Sequence, residues 1–519
     1  MRISLAQIDT RIGDFAGNQR RILAAVEEAR RQDAELVVLP ELVVPGYPPR
    51  DLLYDPGFVD RAVATTREIA REAAGGPPVV LGTLNRSGNE TPGHPALWNV
   101  AALLEGGRVA AEIPKRLLPA YDVFHENRWF VPGDPAPPVE VAGRRLGLLI
   151  CEDLWDEGYP SHPPSDLLAA GAGVLIAISA VPFRQGIVER RLHHARRAGA
   201  PVVCVNAVGA QDELIFDGGS FVMDRGETIA RLPRFAEAVE TVELETGGNL
   251  APELAGEEEL FRALVFGVRG FAAKNNLRRL FLGLSGGVDS ALVAALAAEA
   301  VGPDRVTAVA LPSRHTDPRS TESARELAST LGIGFEVVPI DPLHEEARRS
   351  LGHLLEGEAG ATDENLQARL RAVALAAYVN RHSGLLLNTS NKTELSLGYG
   401  TLHGDLAGTL SVIGDLTKPQ VYAVARWFSE HRAAIPAFIL ERPPSAELKP
   451  DQVDPFDYPA ISPAVEALVH GTVPEGEVDR WRRLLHASEH KRWHHGIVLK
   501  VSQKAFGTGR MVPVTRAAP

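Results

Sequence analysis

A strand, a glycine-rich loop and a helix follow one another between residues 280 and 300, and this stretch constrains the fold most. Leu280–Leu284 is an apolar strand, Ser285–Ser290 contains two adjacent glycines, and Asp289–Ala300 has a helical pattern. Strands and helices keep alternating after it, which is typical of parallel strands joined by crossover helices. The second half is therefore predicted to be α/β, with a doubly wound parallel sheet. The later predicted strands are Val306–Leu311, Phe335–Ile340 and Leu385–Thr389, and the helices between them are Ser320–Leu331 and Glu364–Arg381.

The first half also alternates apolar strands with amphipathic helices. Helical patterns cover Asn18–Arg31 and Arg184–Arg197. The strands are near-continuous apolar runs, which predicts sheets covered by helices. Tight hairpins are predicted at Glu105–Arg108 and around Asp224–Gly226, where glycine separates two apolar runs. The predicted strands are Ile3–Ile8, Leu36–Leu39, Val79–Gly82, Val100–Leu104, Val109–Ile113, Leu146–Cys151, Val174–Ser179 and Val202–Asn206.

Length and punctuation predict two domains. A chain of 519 residues is too long for one ordinary hydrophobic core. The stretch 246–256 is polar and rich in glycine and proline, as domain linkers are. We therefore expect domains at residues 1–245 and 257–519, with 246–256 as the linker.

Composition excludes several functional classes. The net charge is −12 and no long basic run occurs, which argues against a nucleic-acid partner. Only two cysteines are present, so a disulfide framework is not expected. The N-terminus is an alternating strand rather than a signal peptide, and the apolar stretch at 291–298 is too short to cross a membrane. We expect a cytoplasmic protein with no membrane partner.

Three reactive side chains follow apolar strands in the first half. Glu41 comes after Leu39-Pro40, Lys115 after Ile113-Pro114, and Cys151 after Ile150. Taken singly, a buried cysteine is more often structural, and a lone glutamate or lysine is usually solvated. Together they fit nucleophilic catalysis: Glu41 takes the thiol proton, and Lys115 lowers the thiol pKa and stabilises an oxyanion.

These three stretches resemble the Glu-Lys-Cys triad of the nitrilase, or carbon–nitrogen hydrolase, superfamily. The resemblance covers about residues 1–245 and implies an αββα sandwich that hydrolyses amides through a thioester. The segment Lys115–Phe130 is similar to that of the glutaminase domains in this superfamily. It implies that Glu126 is a second carboxylate near the triad. The glutamine pocket implied by the resemblance contains Tyr121, Glu152 and Trp155, whereas Cys204 is expected in the core.

One part of the implied glutamine pocket departs from the family pattern. Related glutaminase domains usually carry serine before a proline and a basic residue a few positions later. This chain has Val181 before Pro182, and Ile187 at the later position. Ser179 and Arg184 are candidates to replace the missing contacts, and backbone groups are another. The departure bears on affinity for glutamine more than on the chemistry.

The glycine-rich loop of the second half points to nucleotide phosphate. Small residues allow backbone N–H groups to approach phosphate oxygens at the start of a helix. The loop is not a Walker A loop, because no Gly-Lys-Ser/Thr follows. Ser285-Gly-Gly-Val-Asp-Ser290 instead resembles the loop of the ATP-pyrophosphatase superfamily. That superfamily adenylates an oxygen of its substrate, releases pyrophosphate and has a Rossmann-like sheet.

Motifs further along the chain resemble the glutamine-dependent NAD synthetase family. Taken singly, they are explained by capping and turn chemistry. Their joint order resembles the family: the stretches at 364–369, 388–394, 398–405, 415–418 and 445–452, and then Lys504–Gly507. The family converts deamido-NAD to NAD with ATP and ammonia from glutamine, and it forms homo-oligomers with deamido-NAD sites at a dimer interface.

The resemblance implies three sets of residues in the second half. Asp289 and Glu394 are implied as ligands of Mg²⁺, which prefers carboxylate and phosphate oxygens. Asn365, Glu394, Tyr399 and Lys504 are implied at the deamido-NAD site. The implied ATP site is formed by Gly283, Leu284, Ser285, Gly286, Gly287, Val288, Asp289, Ser290, Thr389 and Lys418.

Two alternatives stay open on sequence alone. One is an ATP-dependent amidase for another carboxylate, against which the Asn365-to-Lys504 series argues. The other is an ammonia-dependent synthetase whose nitrilase-like half only supports assembly. The intact Glu41, Lys115 and Cys151 argue against the second alternative.

Overall fold

The computed structural model describes residues 1–91, 93–355, 360–472 and 478–516. The chain folds as two compact units, Met1–Leu254 and Ala255–Pro519. None of the helices described has the length and apolar character needed to span a lipid bilayer.

The first unit is built on two sheets. One has the strand order β14-β1-β2-β3-β4-β5 and the other β13-β12-β9-β8-β7-β6. Its strands are β1 (Arg2–Gln7), β2 (Leu36–Val38), β3 (Val79–Arg86), β4 (Leu97–Glu105), β5 (Arg108–Pro114), β6 (Val139–Val141), β7 (Arg144–Ile150), β8 (Val174–Ser179), β9 (Val202–Asn206), β10 (Val208–Gln211), β11 (Leu214–Asp217), β12 (Phe221–Asp224), β13 (Glu227–Arg231) and β14 (Ala238–Glu243).

Helices cover the outer faces of the two sheets. The core of the first sheet includes residues of α1 and α2, and the core of the second includes residues of α3 and α4. The sheets meet through β1 with β9 and β4 with β7. This arrangement confirms the predicted αββα sandwich. The helices are α1 (Phe15–Arg31), α2 (Pro56–Glu72), α3 (Pro163–Ala169) and α4 (Ile187–Arg197).

Strand burial explains why the sequence of the first unit lacks simple alternation. In β8 all six residues are buried, because a helix covers one face and the other sheet covers the second. The parallel pairs β7–β8 and β8–β9 bring their carboxyl ends to one edge. Both predicted hairpins occur, with Glu105 opposite Arg108 and Asp224 opposite Glu227.

The glycine- and proline-rich stretch after β14 packs against the first unit. The backbone N–H of Arg231 donates to Asn249 O at 2.8 Å, and Ala251 N–H donates back to Arg231 O at 2.9 Å. The Arg231 guanidinium also donates to Ala251 O at 2.8 Å. Most of the segment 246–256 therefore continues beside β13, and the second unit begins at Ala255.

The second unit contains one parallel sheet of order β17-β16-β15-β18-β19-β20. Each neighbouring pair is parallel, which confirms the predicted doubly wound sheet. The strand order reverses between β15 and β18, so the loops that follow these two strands open a crevice. The strands are β15 (Leu280–Gly283), β16 (Val306–Ala310), β17 (Gly334–Val337), β18 (Leu385–Asn388), β19 (Leu410–Ser411) and β20 (Ile497–Val498).

Helices flank this sheet, and several of them are additional to the helices that the sequence predicted. The predicted strand Phe335–Ile340 ends at Val337, and a helix that the sequence did not predict follows. The proline-rich stretch 443–457 has no helix or strand. The helices are α5 (Gly256–Lys274), α6 (Val288–Val301), α7 (Pro318–Leu331), α8 (Asp341–Leu351), α9 (Gly360–His382), α10 (Lys392–Leu397), α11 (Lys418–His431), α12 (Ala437–Glu441), α13 (Tyr458–His470) and α14 (Asp479–Ala487).

Candidate active sites

The three reactive side chains of the first unit converge at strand ends. Glu41 follows β2, Lys115 follows β5 directly, and Cys151 follows β7. Lys115 Nζ lies 2.8 Å from Glu41 Oε1 and 2.8 Å from Glu126 Oε1. The side chains of Glu41 and Lys115 have no exposed surface, and Glu126 is 5% exposed. The structure therefore brings Glu41, Lys115 and Glu126 into one buried cluster.

Charge balance in this cluster is set by one cation between two carboxylates. Burial acts to lower the pKa of Lys115, but Glu126 and Glu41 raise it well above its usual range. Burial raises the pKa of Glu126 to about 7, although Lys115 opposes the shift. Lys115 is therefore held as an ammonium, because removing its proton would leave buried carboxylates without a counter-ion.

Cys151 opens a turn of 3₁₀ helix, Cys151–Leu154, immediately after its strand. Its backbone φ is +47°, in the left-handed region, and its side chain is buried. Burial raises the pKa of the thiol well above its usual range, Glu41 adds to this, and Lys115 opposes it. The resting thiol is therefore protonated at neutral pH, and a base must take its proton when it attacks.

The neighbour of the thiol is a carboxylate bound by two phenols. Tyr121 Oη donates to Glu152 Oε1 and Oε2 at 3.1 and 3.0 Å, and Tyr159 Oη donates to Oε1 at 2.9 Å. Burial raises the pKa of Glu152. The rings of Trp155 and His194 pack at a tilt of 30°, with centroids 4.3 Å apart. An anionic carboxylate beside a nucleophile can bind the ammonium of an amino-acid substrate.

The segment that departs from the family pattern presents apolar side chains. Val181 and Ile187 are both buried. Val181 N–H donates to Asn206 Oδ1 at 2.8 Å, and Ser179 bonds to the thiol of Cys204. Burial raises the pKa of Cys204 to about 11, in keeping with the expected core residue.

Arg184 is the charged side chain of this departing segment. Its guanidinium is half-buried, and Nη1 donates a long hydrogen bond of 3.5 Å to Gln185 O. Burial lowers the pKa of Arg184, as does Arg190, while Asp122 and Tyr121 act in the opposite direction. The charge of Tyr121, the phenol that binds Glu152, therefore influences the guanidinium.

Two residues that sequence reasoning missed complete the cluster. Asn99 Nδ2 donates to Glu41 Oε1 at 2.7 Å, and Asn99 O accepts the Lys115 N–H at 2.8 Å. A Cβ at Gly82 would lie 2.1 Å from Leu42 N, so only glycine lets β3 approach the Glu41 segment. Because these contacts join strands distant in sequence, no local pattern marks them.

The glycine-rich loop of the second unit joins β15 to α6. Gly286 has φ +80°, and a Cβ there would lie 2.4 Å from Ser320 O. Ser290 Oγ accepts from Ser285 N at 3.2 Å and donates to Gly287 O at 3.0 Å. The loop is therefore fixed by its own serines, with backbone groups at a helix N-terminus as an anion site requires.

Two carboxylates and a lysine face each other beside this loop. Lys418 Nζ lies 2.5 Å from Asp289 Oδ2 and 3.2 Å from Glu394 Oε1, and Asn391 Nδ2 donates to Asp289 Oδ1 at 2.9 Å. Burial acts to lower the pKa of Lys418, but Asp289 and Glu394 raise it above its usual range. Burial raises the pKa of Glu394 to about 7, and Lys418 opposes this shift.

The donor set at this point fits a hard divalent cation that also binds phosphate. Among the described residues, no group of three or more His, Cys, Asp or Glu side chains could hold a metal ion by itself. Two converging carboxylates, however, match the protein ligands that Mg²⁺ uses when substrate phosphates supply the remaining oxygens.

A cavity of about 460 Å³ opens over the loop and the carboxylates. Of the predicted residues, Gly286 and Lys504 lie outside its lining, and Lys504 O accepts from Lys392 Nζ at 2.8 Å. Tyr399 Oη donates to Asp454 Oδ1 at 3.1 Å. The predicted residues that line it are Gly283, Leu284, Ser285, Gly287, Val288, Asp289, Ser290, Asn365, Thr389, Glu394, Tyr399 and Lys418.

Comparison with known proteins assigns one enzyme family to each unit. The carbon–nitrogen hydrolase family model matches residues 2–248, and the NAD synthase family model matches residues 260–493. The fold and the two sites thus define an enzyme that joins a carbon–nitrogen hydrolase to an NAD synthase.

Full-length relatives carry both parts. The glutamine-dependent NAD(+) synthetase of Synechocystis sp. is 35% identical, covering 99% of this chain and 98% of its own. That of Xylella fastidiosa (strain Temecula1) is 37% identical, covering 100% of this chain and 99% of its own. The structure of glutamine-dependent NAD+ synthetase from Acinetobacter baumannii, in complex with adenosine diphosphate, matches with a TM-score of 0.80 and 29% identity. The match covers 100% of this chain and 99% of that one. The chain belongs to the glutamine-dependent NAD(+) synthetase family.

Proposed function

We propose that the chain converts deamido-NAD to NAD with ATP, using ammonia released from glutamine. The observation that carries the proposal is that one chain of this family holds a buried Glu41–Lys115–Glu126 cluster with Cys151 and, in its second unit, a glycine-rich loop over a cavity. The first provides amide hydrolysis and the second a nucleotide site.

The hydrolysis step uses the thiol as nucleophile. Cys151 Sγ attacks the side-chain amide carbon of glutamine, and its proton passes to Glu41. Lys115 stabilises the negative oxygen that forms, since it is an ammonium held in a water-poor site. The carbon–nitrogen bond breaks, ammonia leaves with a proton from Glu41, and water then hydrolyses the thioester to release glutamate.

Glutamine binding is assigned to groups around Glu152. The carboxylate of Glu152, bound by Tyr121 and Tyr159, faces the substrate ammonium. Trp155, Val181 and Ile187 provide apolar walls. Arg184 pairs with the substrate carboxylate, because its half-buried guanidinium interacts with Tyr121, which also binds Glu152.

The synthesis step takes place in the cavity of the second unit. A carboxylate oxygen of deamido-NAD attacks the α-phosphorus of ATP, and the bond to the β-phosphate oxygen breaks to release pyrophosphate. Ammonia then attacks the carbonyl carbon, AMP leaves, and the nitrogen loses a proton. The segment Gly283–Ser290 with Thr389 and Lys418 binds ATP, while Asn365, Glu394, Tyr399 and Lys504 bind deamido-NAD.

Mg²⁺ is assigned to Asp289 and Glu394, whose oxygens both approach Lys418 Nζ. Bound there with ATP, the cation would neutralise phosphate charge. Lys418 pairs with the same two carboxylates. When these carboxylates bind the cation, Lys418 would pair with phosphate oxygens instead. The active thiol suits the reducing cytoplasm, and a homo-oligomer is proposed as the working state.

The experiment that tests the proposal compares acceptors and nitrogen donors. The purified chain is supplied with ATP, Mg²⁺ and deamido-NAD, with either glutamine or ammonium salt, and NAD, AMP and pyrophosphate are quantified. We expect equal amounts of the three products with either donor. NAD formation with ammonia only would contradict the glutaminase assignment. Preferential amidation of another carboxylate, such as nicotinate mononucleotide, would contradict the assigned acceptor.

A further inference from the structure

A buried carboxylate outside the triad binds both of the segments that carry Lys115 and Cys151. Asp153 is 3% exposed. Its Oδ1 accepts from Arg116 N at 3.0 Å and from Leu117 N at 2.8 Å. Its Oδ2 accepts from Ile150 N at 3.1 Å. One side chain thus accepts three backbone hydrogen bonds from two chain segments.

Each of these donors is next to a triad residue or one position further. Arg116 follows Lys115, and Ile150 precedes Cys151. Few covalent bonds separate these backbone N–H groups from the side chains of Lys115 and Cys151. The hydrogen bonds of Asp153 therefore influence the distance between the ammonium and the sulfur. The lysine segment is also held by Lys115 N–H, which donates to Asn99 O at 2.8 Å.

Cys151 needs such support because of its backbone. A φ of +47° is unfavourable for a residue with a side chain, costing about 1–3 kcal/mol, and persists only where the surroundings hold it. The bond from Ile150 N to Asp153 Oδ2 closes the turn over this residue. This turn directs the thiol to the end of its strand.

The chemistry of the contacts requires an aspartate. A carboxylate accepts on both oxygens, whereas an asparagine of the same shape would place an NH₂ against one of the backbone donors. Burial raises the pKa of Asp153 to about 6, while the three backbone N–H groups and Lys115 lower it. At neutral pH the anion that makes all three bonds prevails.

We propose that Asp153 is a positioning residue that sets the separation of Lys115 and Cys151 for acyl transfer. The proposal rests on the glutaminase function assigned above. The Asp153 side chain bonds to backbone N–H groups of Arg116, Leu117 and Ile150 and not to the side chains assigned to bind glutamine, so we expect its loss to act on the chemical step rather than on substrate affinity.

The test is Asp153→Asn in the full chain. We expect kcat for glutamine hydrolysis to fall about 10²-fold, the scale of a misplacement near 1 Å, with KM for glutamine within about threefold of the wild type. Ammonia-dependent NAD formation stays unchanged, which reports a folded chain. A wild-type kcat would overturn the proposal, as would an equal loss of ammonia-dependent activity, which indicates a general structural role.

The matched control is Asp156→Asn. Asp156 is also a buried carboxylate, three residues later, but its Oδ2 contacts His162 Nδ1 at 2.9 Å instead of the lysine segment. We expect it to keep wild-type kcat. If Asp153→Asn does not fold, Asp153→Glu keeps the charge but displaces the oxygens, and the same loss of kcat at constant KM is expected.

A substrate-free readout separates this proposal from the glutaminase assignment. The rate of Cys151 alkylation by iodoacetamide is measured across pH in the wild type and in Asp153→Asn. We expect slower alkylation and a thiol pKa shifted upward in the variant, since the ammonium no longer faces the sulfur. Unchanged thiol titration would overturn the positioning role. Absence of glutamine hydrolysis in the wild type, with the thiol shift present, would contradict only the proposed function.

Discussion

At the scale of single residues, the first site is organised around a cation rather than around the thiol. Lys115 Nζ has a carboxylate oxygen at 2.8 Å on either side, while burial keeps the Cys151 thiol protonated. The thiol is therefore activated when the substrate arrives, and not by a permanent thiolate. Cys204 is equally buried and its pKa is also raised, but its partner is Ser179, whereas Glu41 and Lys115 influence the pKa of Cys151.

Replacing the nucleophile separates the two nitrogen donors. We expect Cys151→Ala to lose glutamine-dependent NAD formation by at least about 10³-fold, while ammonia-dependent formation stays within twofold. The control is Cys204→Ala, which removes the other buried thiol and should keep both activities. Steady-state NAD assays with each donor provide the measurement. Retained glutamine use in Cys151→Ala would remove the thiol from the mechanism.

The titration of Glu126 predicts the acidic side of the glutaminase profile. Burial raises the pKa of Glu126 to about 7, so its anion is lost as the pH falls through that value. Lys115 then loses one of its two partners, and kcat/KM for glutamine hydrolysis should decline below about pH 7. Glu126→Gln is expected to be much slower and to lack this step. A wild-type profile flat from pH 6 to 8 would contradict the assignment.

Arg184 is the proposed charged partner of the glutamine carboxylate in the unusual pocket. Val181 and Ile187 offer no charge to the substrate carboxylate, so we expect a higher KM for glutamine than in relatives with serine and a basic residue there. Removing a remaining charged partner costs about 1–3 kcal/mol, so Arg184→Ala should raise KM about 10-fold or more at similar kcat. Arg190→Ala is the control. An unchanged KM in Arg184→Ala would leave recognition to backbone groups.

At the scale of elements, apolar periodicity predicted most strands and the helices between them. Residues 280–300 fold as strand, loop and helix, and both hairpins occur where glycine interrupts apolar runs. The β10–β11 pair and the helix α8 were not predicted, since their short or mixed patterns compete poorly with the longer segments. Glu41 and Lys115 could be found from strand ends, whereas Asn99 and Gly82 act through contacts between distant strands.

The proposed phosphate loop contains one glycine, Gly286, that lies against another element. Gly286→Ala would combine a φ of +80° with a Cβ 2.4 Å from Ser320 O, so the loop must move away from α7. We expect loss of NAD formation with either nitrogen donor, measured beside an intact glutaminase rate. Gly302→Ala is the control: its φ is also positive, at +90°, but a Cβ there meets nothing within 4 Å. It should keep synthesis and cost about 1–3 kcal/mol of stability, because φ +90° with ψ +144° is a backbone region that residues with a side chain rarely adopt. Normal ATP use in Gly286→Ala would contradict the loop assignment.

At the scale of the whole molecule, the chain carries two complete cores and two chemistries. Each unit is matched by its own family model, and full-length relatives share both. The sequence predicted this division from one glycine- and proline-rich stretch, although most of that stretch pairs with β13. A polar composition indicates a boundary, but it does not reveal that backbone groups of the boundary complete the edge of a sheet.

One face of helix α9 provides a test of the proposed homo-oligomer. Of its residues only Gln367 and Ala368 are buried, and Val373 is 62% exposed. Leu366, Leu370, Val373 and Ala377 follow one another at spacings of three and four, so they form an apolar stripe along one face. The stripe is exposed at Val373 and Ala377 and partly buried at Leu366 and Leu370. Exposed apolar surface of this kind is typical of an interface, because leaving it in water forgoes about 25 cal/mol per Å².

We therefore expect light scattering to give the wild type at least twice the mass of one chain. Val373→Glu should lower this mass, because a charge buried in an apolar contact without a partner is costly. It should also raise KM for deamido-NAD, since the family resemblance implies that site at a dimer interface, while glutamine hydrolysis stays unchanged. Leu52→Glu, at a residue 46% exposed in the first unit, is the control and should keep the wild-type mass. A wild type of single-chain mass at micromolar concentration would contradict the proposed assembly, and an unaltered mass in Val373→Glu would place its interface away from α9.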